Sequence, residues 1–252
     1  MVLGLAGLWA ALDAGPVLRA ADTTDIAALR ARADNGDPAA LFKLGTMAEA
    51  GEGQAADPAV ALKFYLKAAQ QGYAPAQFNV GNLYSNGIGV KQDLMEAAVW
   101  LRQAADQGLP EAQYNLALAY ETGRGVSKDD TQAVKWYRAA SDQGYPQASY
   151  NLGLMAEDGR GMDRNDATAA ALYRKAAGKN YGPAQNNLGI MIAEGRGGLN
   201  PDQAEAYAWL TLAVENGAKP TARDIIAKRL DEIQMADARV KIVTLRNQLG
   251  MS

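Results

Sequence analysis

Apolar and small residues recur along this chain at helical spacing, in a pattern that restarts every 36 residues. Ala76, Val80, Leu83 and Tyr84 stand at i, i+4, i+7 and i+8, one face of a helix, with Pro75 in the first turn, where a missing N–H costs nothing. Gly87 and Gly89 end that helix, and Asp93 stands where an N-cap belongs. Ala97, Trp100, Leu101 and Ala104 then share one stripe of a second helix. The pattern therefore predicts pairs of antiparallel helices, A and B, joined by glycine turns.

The columns of this repeat are regular. Gly36, Gly72, Gly108 and Gly144 are followed by Asn180 at the next place. Glycine and asparagine enter the left-handed conformation most readily, so the column predicts helix C-termini. Ala40, Ala76, Ala112, Ala148 and Ala184 form a second column. Leu44, Val80, Leu116, Leu152 and Leu188 form a third, with Gly45, Gly81, Ala117, Gly153 and Gly189 beside it. Paired glycines separate the helices at 51/53, 87/89, 123/125, 159/161 and 195/197. N-caps are expected at Asp57, Asp93, Asp129, Asn165 and, one residue late, Asp202. A large side chain recurs as Phe64, Trp100, Trp136, Leu172 and Trp209, and Gly81 and Gly153 are expected to let this bulk pack closely. The tryptophans read as core, because their spacing points inward. A fixed period of this kind specifies a stack of hairpins.

The string A-x-x-N-L-G, G-x-G-V, D, A-x-x-W-Y-x-x-A-A-x-x-G resembles the Sel-one-like repeat, a relative of the tetratricopeptide repeat. The resemblance covers residues 37–217 and implies an all-α fold, a right-handed α/α solenoid of five units: 37–72, 73–108, 109–144, 145–180 and 181–217. Ala117 departs from the pattern by replacing a glycine, Leu172 by replacing an aromatic, and the fifth copy carries one extra residue before Ala206. The resemblance implies a non-catalytic scaffold, adaptor or regulator with a protein or peptide partner. Some cysteine-rich relatives have been assigned hydrolase activity on cell-wall or lactam substrates. That leaves an envelope hydrolase, or a glycan-binding module, as the alternative.

Outside the repeats, Val2–Leu12 is an apolar run too short to span a bilayer. It suits a signal-peptide core within residues 1–22, with Ala20-Ala21 as a small-residue cleavage region, although no Lys or Arg precedes it. That reading gives a periplasmic or secreted protein. The alternative is an N-terminal helix over the first repeat in a cytoplasmic one. Thr24–Asn35 is expected to be a capped helix, a half-repeat within 23–36 that covers the first unit. In 218–252, Ile226, Leu230 and Ile233 form one stripe and Ala238, Ile242, Leu245 and Leu249 another. The break in phase predicts two capping helices with a bend near Ile233 to Met235.

Composition narrows the chemistry. Histidine and cysteine are both absent. A Ser-His-Asp triad, a Cys-His pair and ordinary zinc sites are therefore excluded. No cofactor is expected. The net charge of −3, without any basic run, argues against nucleic acid. No integral membrane span is expected, and the chain is read as a monomer.

The candidate partner-binding residues are Asn79, Asn115, Asn151 and Asn187, with Lys43 at the first copy, and Gln77 and Gln113 two residues before two of them. An amide both donates and accepts, so a row of amides can hold a peptide main chain. Helices pack about 8–10 Å apart, and an extended chain advances that far in about three residues. The other employment of each asparagine is to bond the next repeat's backbone and fix the stacking. Arg124, Arg160 and Arg196, near Glu121, Glu157 and Glu194, form either a basic ridge or exposed ion pairs of small value.

Overall fold

The computed structural model describes residues 20–53 and 55–251, with side chains described from residue 26 onward. Among the described residues there are thirteen α-helices, one short 3-10 turn and no strand. The Val2–Leu12 run and most of the 1–22 segment lie outside the described residues. No described helix is long and apolar enough to cross a membrane.

The chain divides into two compact units, Met1–Gln92 and Asp93–Ser252. The first unit holds α1 (Ala20–Asp34), α2 (Pro38–Ala50), α3 (Pro58–Ala69) and α4 (Ala74–Asn86). Each packs on the next. Helix α1 begins a turn earlier than the expected Thr24 start. The second unit holds α5 (Leu94–Asp106), α6 (Pro110–Thr122), α7 (Asp130–Asp142), α8 (Pro146–Asp158) and α9 (Asp166–Ala177). It continues with α10 (Gly182–Glu194), α11 (Gln203–Glu215), α12 (Thr221–Ala227) and α13 (Glu232–Leu249). Sequential neighbours from α5 to α11 pack on one another, and α11 receives both α12 and α13. Helices α2, α4, α6, α8 and α10 are the A helices of the repeat; α3, α5, α7, α9 and α11 are the B helices.

Local chemistry explains the boundaries of the B helices. Asp57, Asp93, Asp129, Asn165 and Asp202 all cap a B helix, accepting from backbone N–H groups of its first turn. Gly72, Gly108 and Gly144 end B helices with φ of 84° to 90°. Asn180 does so at 58° and is the one non-glycine residue with positive φ among those described. The amide after this residue returns to a carbonyl of the last helical turn, as Tyr73 N–H does to Ala68 O at 3.2 Å.

The core is built on small residues. The alanine column from Ala40 to Ala184 is at most 1% exposed. The bulk that fills the space comes both from the tryptophan column, where Trp136 and Trp209 are buried as expected, and from the residue after it. Tyr65, Tyr137 and Tyr173 are fully buried, whereas Phe64, Trp100 and Leu172 remain partly exposed. A Cβ on Gly45 would lie 2.5 Å from the Tyr65 ring, and one on Gly153 2.6 Å from the Tyr173 ring. These two glycines therefore make room for the tyrosine rings rather than for Phe64 and Leu172 beside them.

The C-terminal pair of helices is present, but the break falls at 228–231, earlier than expected. Asp231 and Gln234 form a capping box that starts α13 there. Ile233, placed by the stripe on the inner face of the preceding helix, instead sits in the first turn of α13 and is 81% exposed.

Candidate functional site

The A helices carry the candidate residues. On each, four columns follow one another at helical spacing. In the second unit they are Tyr114 and Tyr150, then Asn115, Asn151 and Asn187, then Leu118, Leu154 and Ile190, then Glu121 and Glu157. All are part-exposed, with Leu118 the most open of the aliphatic column at 37%. In the first unit Asn79 is part-exposed in the same way.

The asparagines have internal partners. Asn151 Nδ2 donates to the Tyr137 hydroxyl at 3.0 Å, and that hydroxyl donates to Glu121 Oε2 at 2.6 Å. The same arrangement recurs. Tyr173 donates to Glu157 at 2.6 Å and is bonded by Asn187; Tyr65 donates to Glu49 at 2.7 Å and is bonded by Asn79. Asn151 also bonds Tyr114, and Asn187 bonds Tyr150. Each of these asparagines thus ties its own A helix to the preceding hairpin through a tyrosine hydroxyl, not through the backbone. Burial, reinforced by the adjoining glutamate, pushes the Tyr65, Tyr137 and Tyr173 hydroxyls far above their ordinary range. Asn115 makes interactions of its own, but the second copy holds Ser85 and Leu101 where the others hold glutamate and tyrosine.

The loop arginines pair one repeat back. Arg160 bonds Glu121 at 2.7 Å, and Arg196 bonds Glu157 at 2.8 Å and Asp166 at 3.0 Å. Each glutamate accepts from a tyrosine and an arginine at once, so the arginines clamp successive hairpins instead of forming a free basic ridge. Arg196 in turn holds the Asp166 carboxyl below its usual range. Arg124 is exposed, and among the described residues it makes no ion pair within 4 Å.

Gln77 and Gln113 require correction as partner contacts. Both are buried, and each donates from Nε2 to a carbonyl in the last turn of the preceding B helix, Ala69 and Ala105, at 3.2 Å. Gln185 does the same to Ala177. These amides satisfy helix carbonyls that would otherwise be orphaned, which is why a polar residue recurs in the core.

A face missed in the sequence surrounds the asparagines. Tyr114 stacks against Tyr137 and Tyr145 with ring centroids 5.7 and 5.2 Å apart. Tyr150 repeats this against Tyr173 and Tyr181 at 5.8 and 5.4 Å. Burial pushes the Tyr181 hydroxyl up to about 12. The signal was available: aromatics at 42, 78, 114 and 150 keep the 36-residue period, as do Tyr73, Tyr145 and Tyr181. At the C-terminal end of this face lies a cavity of about 480 Å³ between α8, α10 and α12, walled by Tyr150, Pro183, Asn186, Asn187, Ala222 and Ile225. The face therefore offers aromatic edges, amides and aliphatic side chains around a concavity, a set suited to holding a chain. Among the described residues no group of three or more Asp or Glu could hold a metal ion.

The comparisons agree with this architecture. The model of the Sel1 repeat matches five times, at residues 38–73, 74–109, 110–145, 146–181 and 182–217. The chain is similar to the crystal structure of a Sel1 repeat protein from Oxalobacter formigenes, with 31% identity and a TM-score of 0.74, covering 78% of this chain and 80% of that one. It is also similar to a protective antigen present in uropathogenic Escherichia coli strains that displays an SLR fold, with 30% identity and a TM-score of 0.78. That match covers 89% of this chain and 48% of the antigen. No curated protein sequence matches.

Proposed function

This chain belongs to the Sel1 repeat family, and from that premise we propose that it works without catalysis, by gripping a segment of a partner protein on the A-helix face of its second unit. Proteins of Sel1 repeats generally mediate protein–protein interaction. The observation that carries the reading is the set of part-exposed Tyr, Asn and aliphatic columns on α6, α8 and α10, of which Tyr150 and Asn187 also wall the 480 Å³ cavity at the C-terminal end. The apolar column supplies area to bury and the amides supply direction, the combination that peptide-binding grooves use. Because Asn151 and Asn187 are held by tyrosines, they are pre-oriented, and their remaining hydrogen-bonding capacity can meet a main chain at little entropic cost. The aliphatic column makes the energetic contribution.

The test is affinity capture from a native lysate with the intact chain and a Leu118→Glu/Ile190→Glu variant. The variant should lose its captured proteins by at least about tenfold, since two buried aliphatic contacts carry that much. Its melting temperature should stay within a few degrees. An unchanged set of captured proteins would refute the face. Retention of soluble glycan instead of protein, abolished by the same variant, would favour a sugar-binding module.

A further inference from the structure

Helix α13 is apolar on two opposite sides. Ala238 and Ile242 are buried, with Leu245 and Leu249 part-buried against the core cluster around Tyr173 and Trp209. Ile233, Ala236, Val240 and Val243 are exposed, the three large ones at 81%, 64% and 55%. Their spacing is three, four and three residues, the a/d spacing of a coiled-coil seam. At about 100° per residue this outer stripe lies opposite the inner one. A surface helix that has already buried one apolar face has no folding reason to carry a second.

We infer that the outer face of α13 is a contact between two copies of this chain, with the two helices antiparallel. The stripe is self-complementary in that orientation. Ile233 meets Val243 of the second copy and Ala236 meets its Val240, and the twofold axis generates the other two layers. Each small residue then faces a larger one. Charge favours the same orientation: α13 begins on Asp231 and Glu232 and ends with Arg246 in its last turn. Antiparallel pairing brings Glu232 beside Arg246 of the second copy and opposes the helix dipoles. Arg246 already bonds Glu215, but through Nε and one terminal nitrogen, so other guanidinium donors are left over. A helix of 18 residues is about 27 Å long, so the contact is small by the standard of stable interfaces. The dimer is accordingly weak and concentration-dependent, with a dissociation constant on the order of micromolar or higher. This inference does not rest on the A-helix face, which lies on other helices.

Sedimentation velocity of the full chain over a range from about 1 to 500 µM should show a monomer–dimer equilibrium. Val240→Glu should raise the dissociation constant at least about tenfold without lowering the melting temperature, because the site is exposed in the monomer. The natural chain has no cysteine, so single-cysteine variants report register cleanly. Mixing Ala236→Cys with Val240→Cys under mild oxidation should crosslink the two variants to each other in preference to themselves. A monomer throughout the range, or a dimer indifferent to Val240→Glu, would overturn the proposal. So would self-crosslinking within each variant, which indicates parallel helices. A monomer whose melting temperature falls in Val240→Glu would place a segment of the same chain over the face, and would also overturn it.

Discussion

The two units solve the same interior problem and present different surfaces. Inside, Glu49, Tyr65 and Asn79 in the first unit make the bonds that Glu121, Tyr137 and Asn151 make in the second. Outside, the first unit carries Lys43, Thr46 and Asn82 at the places that become Asn115, Leu118 and Leu154 in the second. The arginine clamp is also confined to the second unit: two repeats before Arg160, its place in the first unit is held by Ile88, 44% exposed. Interior positions repeat because every hairpin must present the same shape to its neighbour. Surface positions are free to differ, so the differences locate what is particular to this chain.

The largest effect should fall on the shared interior, equally in both units. A Cβ on Gly125 would overlap the Leu94 carbonyl, and one on Gly89 would lie 2.6 Å from the Pro58 carbonyl carbon; both glycines have φ near 70° to 76°. Backbone cannot yield as a side chain does. Gly125→Ala and Gly89→Ala should each cost at least about 3 kcal/mol, from left-handed strain plus the backbone clash. Gly123→Ala comes no closer than 3.4 Å to its neighbour Lys128, an ordinary contact, and its cost should be nearer 1 kcal/mol. Urea denaturation of the three variants decides it. A tolerated Gly89→Ala beside an intolerant Gly125→Ala would mean that the two interiors are not alike.

This division also explains what could be read from the chain before its coordinates. Caps, turns and the alanine column obey local rules, so Asp57 through Asp202 and even Asn180 announce themselves by residue type and period. The asparagine column was equally visible, but its partner was not. Asn151 bonds a tyrosine 14 residues earlier, across a helix–helix contact that no periodicity displays. The arginine–glutamate pairs were legible as proximity in sequence, which pointed Arg160 at Glu157, whereas stacking delivers it to Glu121, 39 residues back. Gln77 and Gln113 misled for a related reason: a polar residue next to a core stripe reads as surface unless the orphan carbonyls of the preceding helix are counted.

A middle-sized effect concerns the tyrosines, one in the first unit and two in the second. Held neutral by burial in the folded chain, each would ionise near its ordinary value of 10.0 once unfolded. Their contribution is complete below pH 10 and is lost as the pH rises above it, by up to about 1.4 kcal/mol per pH unit for each tyrosine. Tyr137→Phe/Tyr173→Phe should flatten this alkaline loss in the second unit, which carries Trp100, Trp136 and Trp209 as fluorescent reporters. At pH 7 the same variant should lose about 1–2 kcal/mol per site, as each glutamate and asparagine loses a bonding partner. Unfolding curves at pH 8 and pH 11 that shift equally in the natural chain and the variant would show that these hydroxyls are not what the alkali attacks.

The smallest effect tests whether the arginine clamp can be moved. Arg160→Ala removes an ion pair that is only partly shielded, so the loss should be about 0.5–1 kcal/mol and should shrink in high salt. Ile88→Arg places the same side chain at the equivalent position of the first unit, where Glu49 already accepts from Tyr65 through one oxygen. If geometry repeats as faithfully as the interior bonds do, the graft should gain up to about 0.5 kcal/mol at low salt and lose the gain at high salt. A double variant combining Ile88→Arg with Glu49→Gln separates the clamp from a general charge effect. The gain should vanish with the carboxylate, since an amide cannot match the charge-assisted bond. A gain that survives Glu49→Gln would mean that removing exposed Ile88 was itself the benefit, and that the clamp belongs to the second unit for reasons of its own geometry.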